Sequence, residues 1–170
     1  FACGIVIHPS IDACAQLRAK GVTPDQVQRI DLRVHSLVLE LTGKKEPADG
    51  LQAKFSVYHG CAAGLTFGQA GEPEFADEVV RRADMVALRR KVIATVDDSI
   101  DEASVDVTAV LNDGRRVHVF VEHAIGSLQN PHDRCTAGSQ VPWPVRPGAG
   151  CQHDQRTAQG LLVCRAGGQP

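Results

Sequence analysis

Residues 51–68 read LQAKFSVYHGCAAGLTFG, and no other stretch constrains the fold so strongly. Gly50 stands before it and Gly68 closes it. Phe55, Tyr58, Ala62 and Leu65 recur at helical spacing, while Cys61, Ala63 and Gly64 stay small. A helix that is apolar on one face and small on another can be approached closely from several sides. The stretch is therefore expected to be the buried central helix of its domain. Its first turn gathers Lys54, Ser56, Tyr58 and His59. Burying such groups without partners is costly. Two readings stay open: a polar helix start at the surface, or the wall of a cleft that binds an anion.

At 170 residues, the chain allows one ordinary domain, or one plus a tail. A hydrophobic share of 43% with 22% charged residues fits a soluble globular protein. The net charge of −2, without a basic block, argues against nucleic acid or an anionic membrane surface as partner. Six cysteines without a C-x-x-C pair predict reduced thiols in a cytoplasmic protein. Phe1 as first residue is expected to lie inside a longer protein.

Phe1–Ile7 reads as a buried strand or an extended entry, and His8-Pro9-Ser10-Ile11-Asp12 as a helix start running to Lys20, with Gly21 as stop. Thr23-Pro24-Asp25-Gln26 has the form of a capping box. Val27–Leu37 alternates as a half-buried strand, and the short apolar run Leu37–Leu41 precedes a polar connection. After a turn at Gly71–Glu74, one helical stretch capped by Asp77 or Asp84 is expected, with Arg81, Arg82, Arg89, Arg90 and Lys91 on its solvated face. Val92–Val96 reads as a strand. Ser104–Leu111 and Arg115–His123 are the clearest strands, joined at Asn112-Asp113-Gly114 in a hairpin. The expected class is α+β: a small, mostly antiparallel sheet with helices packed on one face.

The pattern changes at Pro131. Residues 131–170 are rich in proline, glycine and cysteine and read as an irregular or disordered tail. His132-Asp133 must be encoded CAY-GAY. One nucleotide later, codon choice permits Met-Thr-Asp-Ala-(Leu or Gln)-Leu-Glu-Ala-Lys-Phe through Val141, an amphipathic helical sequence. A reading-frame slip near Pro131 is the specific expectation for this tail.

FACGIVIHPSIDAC, AKFSVYHGCAAGL, the spacing to ALRRKV, and DGRRVHVFVEHAIGSLQNP together resemble the carboxy-terminal domain of the MmgE/PrpD family over residues 1–130. That family includes 2-methylcitrate dehydratases, iminodisuccinate epimerases and cis-aconitate decarboxylases. The resemblance implies a smaller α+β lid completed by a helical domain that this sequence does not include. It also implies small di- or tricarboxylate substrates, proton abstraction next to a carboxylate, no metal or organic cofactor, and a homodimer. His8 falls on the histidine of the family's H-P-x-[IV]-D segment and is the expected catalytic residue. Lys54, Ser56, Tyr58 and His59 fall in its K-F-S-x-[YQ]-[YH] segment and are the expected substrate-binding group.

Each of these residues also has a plainer reading. His8 can simply bond the backbone at a helix start, and Lys54 can decorate a first turn. Tyr58 and His59 are adjacent and cannot face one pocket equally; Tyr58 is the better candidate for packing and His59 for the cleft. His35, His118 and His123 read as surface residues. Neither Cys3, His8 and Cys14 nor Cys151, His153 and Cys164 have standard zinc spacing.

Overall fold

The computed structural model describes residues 1–131. The expectations for the tail beyond Pro131 lie outside the described residues. The chain enters extended, with Ala2 N–H donating to the Ala70 carbonyl and Gly4 N–H to that of Lys54, and makes a single tight turn at Ile5–Ile7. Helix α1 (His8–Ala19) follows, with Pro9 in its first turn, where the missing N–H costs nothing. Pro24–Gln26 forms the expected short turn, in which Gln26 Oε1 accepts from Thr23 N–H.

Strand β1 (Val27–Val34) buries Val27, Ile30, Leu32 and Val34. The run after it is helical, as α2 (Ser36–Thr42), started by His35, whose Nδ1 accepts from Leu37 N–H. The stretch expected to be one central helix is two. Helix α3 (Gly50–Ala53) ends at Lys54, and α4 (Val57–Phe67) starts afresh at Ser56. The break falls there because the Ser56 hydroxyl caps the new helix, accepting from His59 N–H. Phe55 sits in the break and is half exposed, not on the buried face. Otherwise α4 is the buried helix its small residues call for: Val57 through Leu65 are all buried. Gly68, at φ 75°, closes it.

The single helical stretch expected after Gly71 also divides, into α5 (Asp77–Arg81) and α6 (Ala83–Arg90), because Arg82 takes extended geometry. Strands β2 (Val92–Val96), β3 (Val105–Leu111) and β4 (Arg116–Val121) complete the sheet, with β3 and β4 joined by the predicted hairpin. The order is β2-β1-β3-β4. β1 pairs parallel with β2 and antiparallel with β3, so the sheet is mixed rather than mostly antiparallel. The parallel pair arises because α2–α6 carry the chain from the end of β1 back to its start.

One sheet face is apolar: Ile30, Leu32, Val105, Val107, Ala109, Val119 and Val121 pack into the core with α1 and α4. The other face presents Arg33, Asp106, His118 and Phe120, so the helices do lie on one side. No helix among the described residues is long and apolar enough to cross a membrane.

Candidate functional site

His8 is the first residue of α1 and is partly buried. Its Nε2–H points at the Cys3 carbonyl over a long 3.4 Å, and the Phe1 ring meets it edge-on at 5.3 Å. A carbonyl can only accept, so the proton belongs on Nε2 and the lone pair on Nδ1. Burial pushes the His8 pKa down, which keeps the ring neutral near pH 7. The ring lines a cavity of ≈ 950 Å³ with Ile5, Pro9, Leu37, Glu102, His123 and Leu128, among others. Leu128 and Ile5, at 97% and 78% exposure, leave its rim strongly apolar.

Lys54 Nζ donates to both carboxylate oxygens of Glu72 at 2.9 Å. It borders a shallower depression of ≈ 430 Å³ with Phe1–Gly4, Leu51 and Phe55. The entry segment contributes to both hollows, Phe1–Gly4 to one and Ile5 and Val6 to the other. The Cys3 carbonyl faces His8 and Cys3 also lines the Lys54 depression, while Gly4 N–H is bonded to the Lys54 carbonyl. Burial raises the Cys3 thiol to about 11, so it is protonated at neutral pH.

The remaining three candidates are placed elsewhere. Ser56 is fully buried and committed to the backbone: its hydroxyl caps α4 and donates to the Lys44 carbonyl at 2.5 Å. His59, the better cleft candidate by sequence, is buried completely, with its ring against Phe75. The always-charged Arg89 donates to His59 Nδ1 at 3.2 Å, so Nε2–H must donate to the Glu74 carbonyl, 3.0 Å away. Both ring nitrogens are occupied inside the protein, and burial lowers the pKa of the ring. His59 borders neither the His8 cavity nor the Lys54 depression. Tyr58 is buried as expected for packing, and burial raises its pKa, but it lines a different, smaller cavity.

Three residues that sequence reasoning passed over matter here. Arg89, read as part of a solvated face, is only 5% exposed. Its spacing of four from buried Met85 was the available signal. His123, read as surface, is a second imidazole on the His8 cavity. Asp12 is buried and fixes the loop after β4, accepting from Ile125 N–H at 2.8 Å and from Gln16 Nε2 at 3.2 Å. Among the described residues no cluster of three or more His, Cys, Asp or Glu is placed to hold a metal.

The MmgE/PrpD C-terminal domain matches residues 1–136. The 2-methylcitrate dehydratase of Salmonella typhimurium (strain LT2) is 26% identical over 129 residues, covering 69% of this chain and 27% of that protein. The 2-methylcitrate dehydratase of Salmonella typhi matches to the same extent. The chain thus spans about a quarter of the length of the curated relatives it matches. By the family match across most of its length, this chain belongs to the MmgE/PrpD family, of which it carries the C-terminal domain.

Proposed function

We propose that this chain is the lid of a 2-methylcitrate-dehydratase-like lyase for small di- or tricarboxylates, with its site completed by a helical domain. The observation that carries this reading is a neutral imidazole, His8, with its Nδ1 lone pair unengaged among the described residues, on the wall of a large hollow. Such a nitrogen suits a general base or acid near pH 7. In a dehydration a base removes the proton next to a carboxylate, and an acid protonates the departing hydroxyl as it leaves as water. Lys54, on the adjoining depression, is the cation available here to hold a substrate carboxylate. The apolar rim of Ile5 and Leu128 suits coverage by the helical domain, and the assembled enzyme is a homodimer in this reading. Loss of carbon dioxide or return of the proton shares the same first step, so the chemistry within the family rests with the groups of the helical domain.

The chain alone is expected to lack dehydratase turnover, since half a site cannot supply both acid and base. In the enzyme joined to its helical domain, His8→Ala should lower kcat/KM for methylcitrate by roughly 10²-fold or more, with little change in Tm. Near-normal turnover with a large loss of stability would make His8 a structural residue and refute the assignment.

A further inference from the structure

A second cavity, of ≈ 270 Å³, shares no lining residue with the His8 cavity or the Lys54 depression. Lys45, Glu46, Tyr58, Arg89 and Arg90 line it, with β2 at its back. Arg89 is 5% exposed and Tyr58 4%. Arg89 Nη1 donates to the Val80 carbonyl at 2.8 Å and to His59 Nδ1, both uncharged acceptors. Among the described residues no carboxylate lies within salt-bridge distance of Arg89, and Glu46 is paired with Arg90, 3.0 Å away. The Tyr58 hydroxyl likewise has no hydrogen-bond partner among the described residues. Yet no fully enclosed polar side-chain atom among those residues is left unpaired. The free donors of Arg89 and the Tyr58 hydroxyl therefore keep some solvent contact, and both residues line this cavity.

A buried guanidinium with no carboxylate in direct contact is costly, since Glu46 on the same lining is paired with Arg90, and a bound anion offsets that cost. Three cations against one carboxylate leave two positive charges on the lining. The volume is several times the ≈ 30 Å³ share of one water, enough for a small tetrahedral anion. We propose that this cavity binds a small dianionic oxyanion of the phosphate class, with Arg89 and Tyr58 donating at its base and Lys45 and Arg90 at its mouth. Arginine stays protonated, and burial keeps the phenol protonated, so both remain donors at neutral pH.

Tyr58 is the only tyrosine in the sequence, so its ring resonances in tyrosine-labelled full chain report on this cavity alone. Inorganic phosphate, titrated at constant ionic strength against chloride, should shift them saturably with a Kd of about 1 mM or tighter. The exposed pair Lys45→Gln and Arg90→Gln, chosen to leave folding intact, should weaken that Kd about tenfold or more. Tyr58→Phe, followed by calorimetry, should weaken it less. Absence of a phosphate-specific shift, or a shift unchanged in the Lys45→Gln/Arg90→Gln variant, would overturn the proposal.

Discussion

Gly64→Ala sets two physical effects against each other, which makes its outcome informative. Alanine is favoured over glycine in a helix interior by about 1 kcal/mol, so α4 alone would gain. The structure reverses the sign. A Cβ at residue 64 would lie 2.6 Å from the Ile11 carbonyl oxygen and 3.1 Å from Cys14 Cβ, both on α1. Carbonyl oxygens of a packed helix cannot rotate aside. Restoring ordinary contact at 3.4 Å therefore requires α1 and α4 to part by about 0.8 Å. A gap of that size forfeits roughly a quarter to a half of the dispersion attraction across it. Overpacking costs about 1–3 kcal/mol, and a clash with a fixed backbone oxygen belongs in the upper part of that range, about 2–3 kcal/mol, leaving a net loss of about 1–2 kcal/mol after the helix gain of about 1 kcal/mol. For a domain of this length that corresponds to a fall in Tm of roughly 3–10 °C. Gly60→Ala is the comparison. Its added Cβ would meet the Cγ2 methyl of Ile7 at 2.6 Å and the Cγ1 methylene of Ile11 at 3.1 Å, side-chain atoms that can give way more than backbone can. Differential scanning calorimetry of the three chains should rank wild type first, Gly60→Ala next and Gly64→Ala last. A Gly64→Ala Tm equal to or above wild type would refute the close-approach argument.

Ser56→Ala removes both the cap of α4 and the donor to the Lys44 carbonyl, and urea unfolding should show a loss of about 1–2 kcal/mol. An unchanged urea midpoint would mean that α4 does not depend on this cap. Acidification should also destabilise the fold. His59 has its folded pKa pushed below the ordinary 6.5 by burial, so below pH 6.5 the unfolded chain takes up a proton that the folded chain refuses. Stability is then full above pH 6.5 and falls as pH drops toward the folded value, with His8 contributing in the same direction. Urea midpoints between pH 7.5 and 5.5 should decline, and His59→Gln should flatten the slope. Midpoints that rise on acidification would contradict the buried neutral imidazole.

Local signals in this sequence proved readable because the structure they specify is local. The Asn112–Gly114 turn, the Thr23–Gln26 turn and the alternation of β1 each depend on residues a few positions apart. The pairing of β1 with β2 does not: Ile30 meets Val92, and nothing in either strand names the other. Parallel pairing shows in a sequence as repeated strand–helix units, and α2, at seven residues, carries too little periodicity to supply one. The split at Lys54–Ser56 was hidden because Ser56 stood inside a continuous apolar rhythm, where a capping serine resembles any small residue. Of the candidate site, His8 and Lys54 each lie against the entry segment, at the Cys3 carbonyl and the Gly4 N–H. His59 and Arg89 were misplaced for one reason. Each was judged alone as a polar group seeking solvent, whereas together they satisfy each other in the interior.

The strand order has a consequence for how the chain acquires its shape during synthesis. β1 lies between β2 and β3, and both of these neighbours are made later: its partners begin at Val92 on one edge and run to Leu111 on the other. Until residue 111 has emerged, β1 has an unpaired backbone edge on at least one side and its apolar row of Ile30, Leu32 and Val34 lacks its sheet neighbours. Such an edge invites pairing with other chains. The β3–β4 hairpin, in contrast, can close within microseconds of its own completion. The first strand must therefore wait for the third, and the domain's period of greatest exposure to aggregation is written into its topology rather than into any single residue.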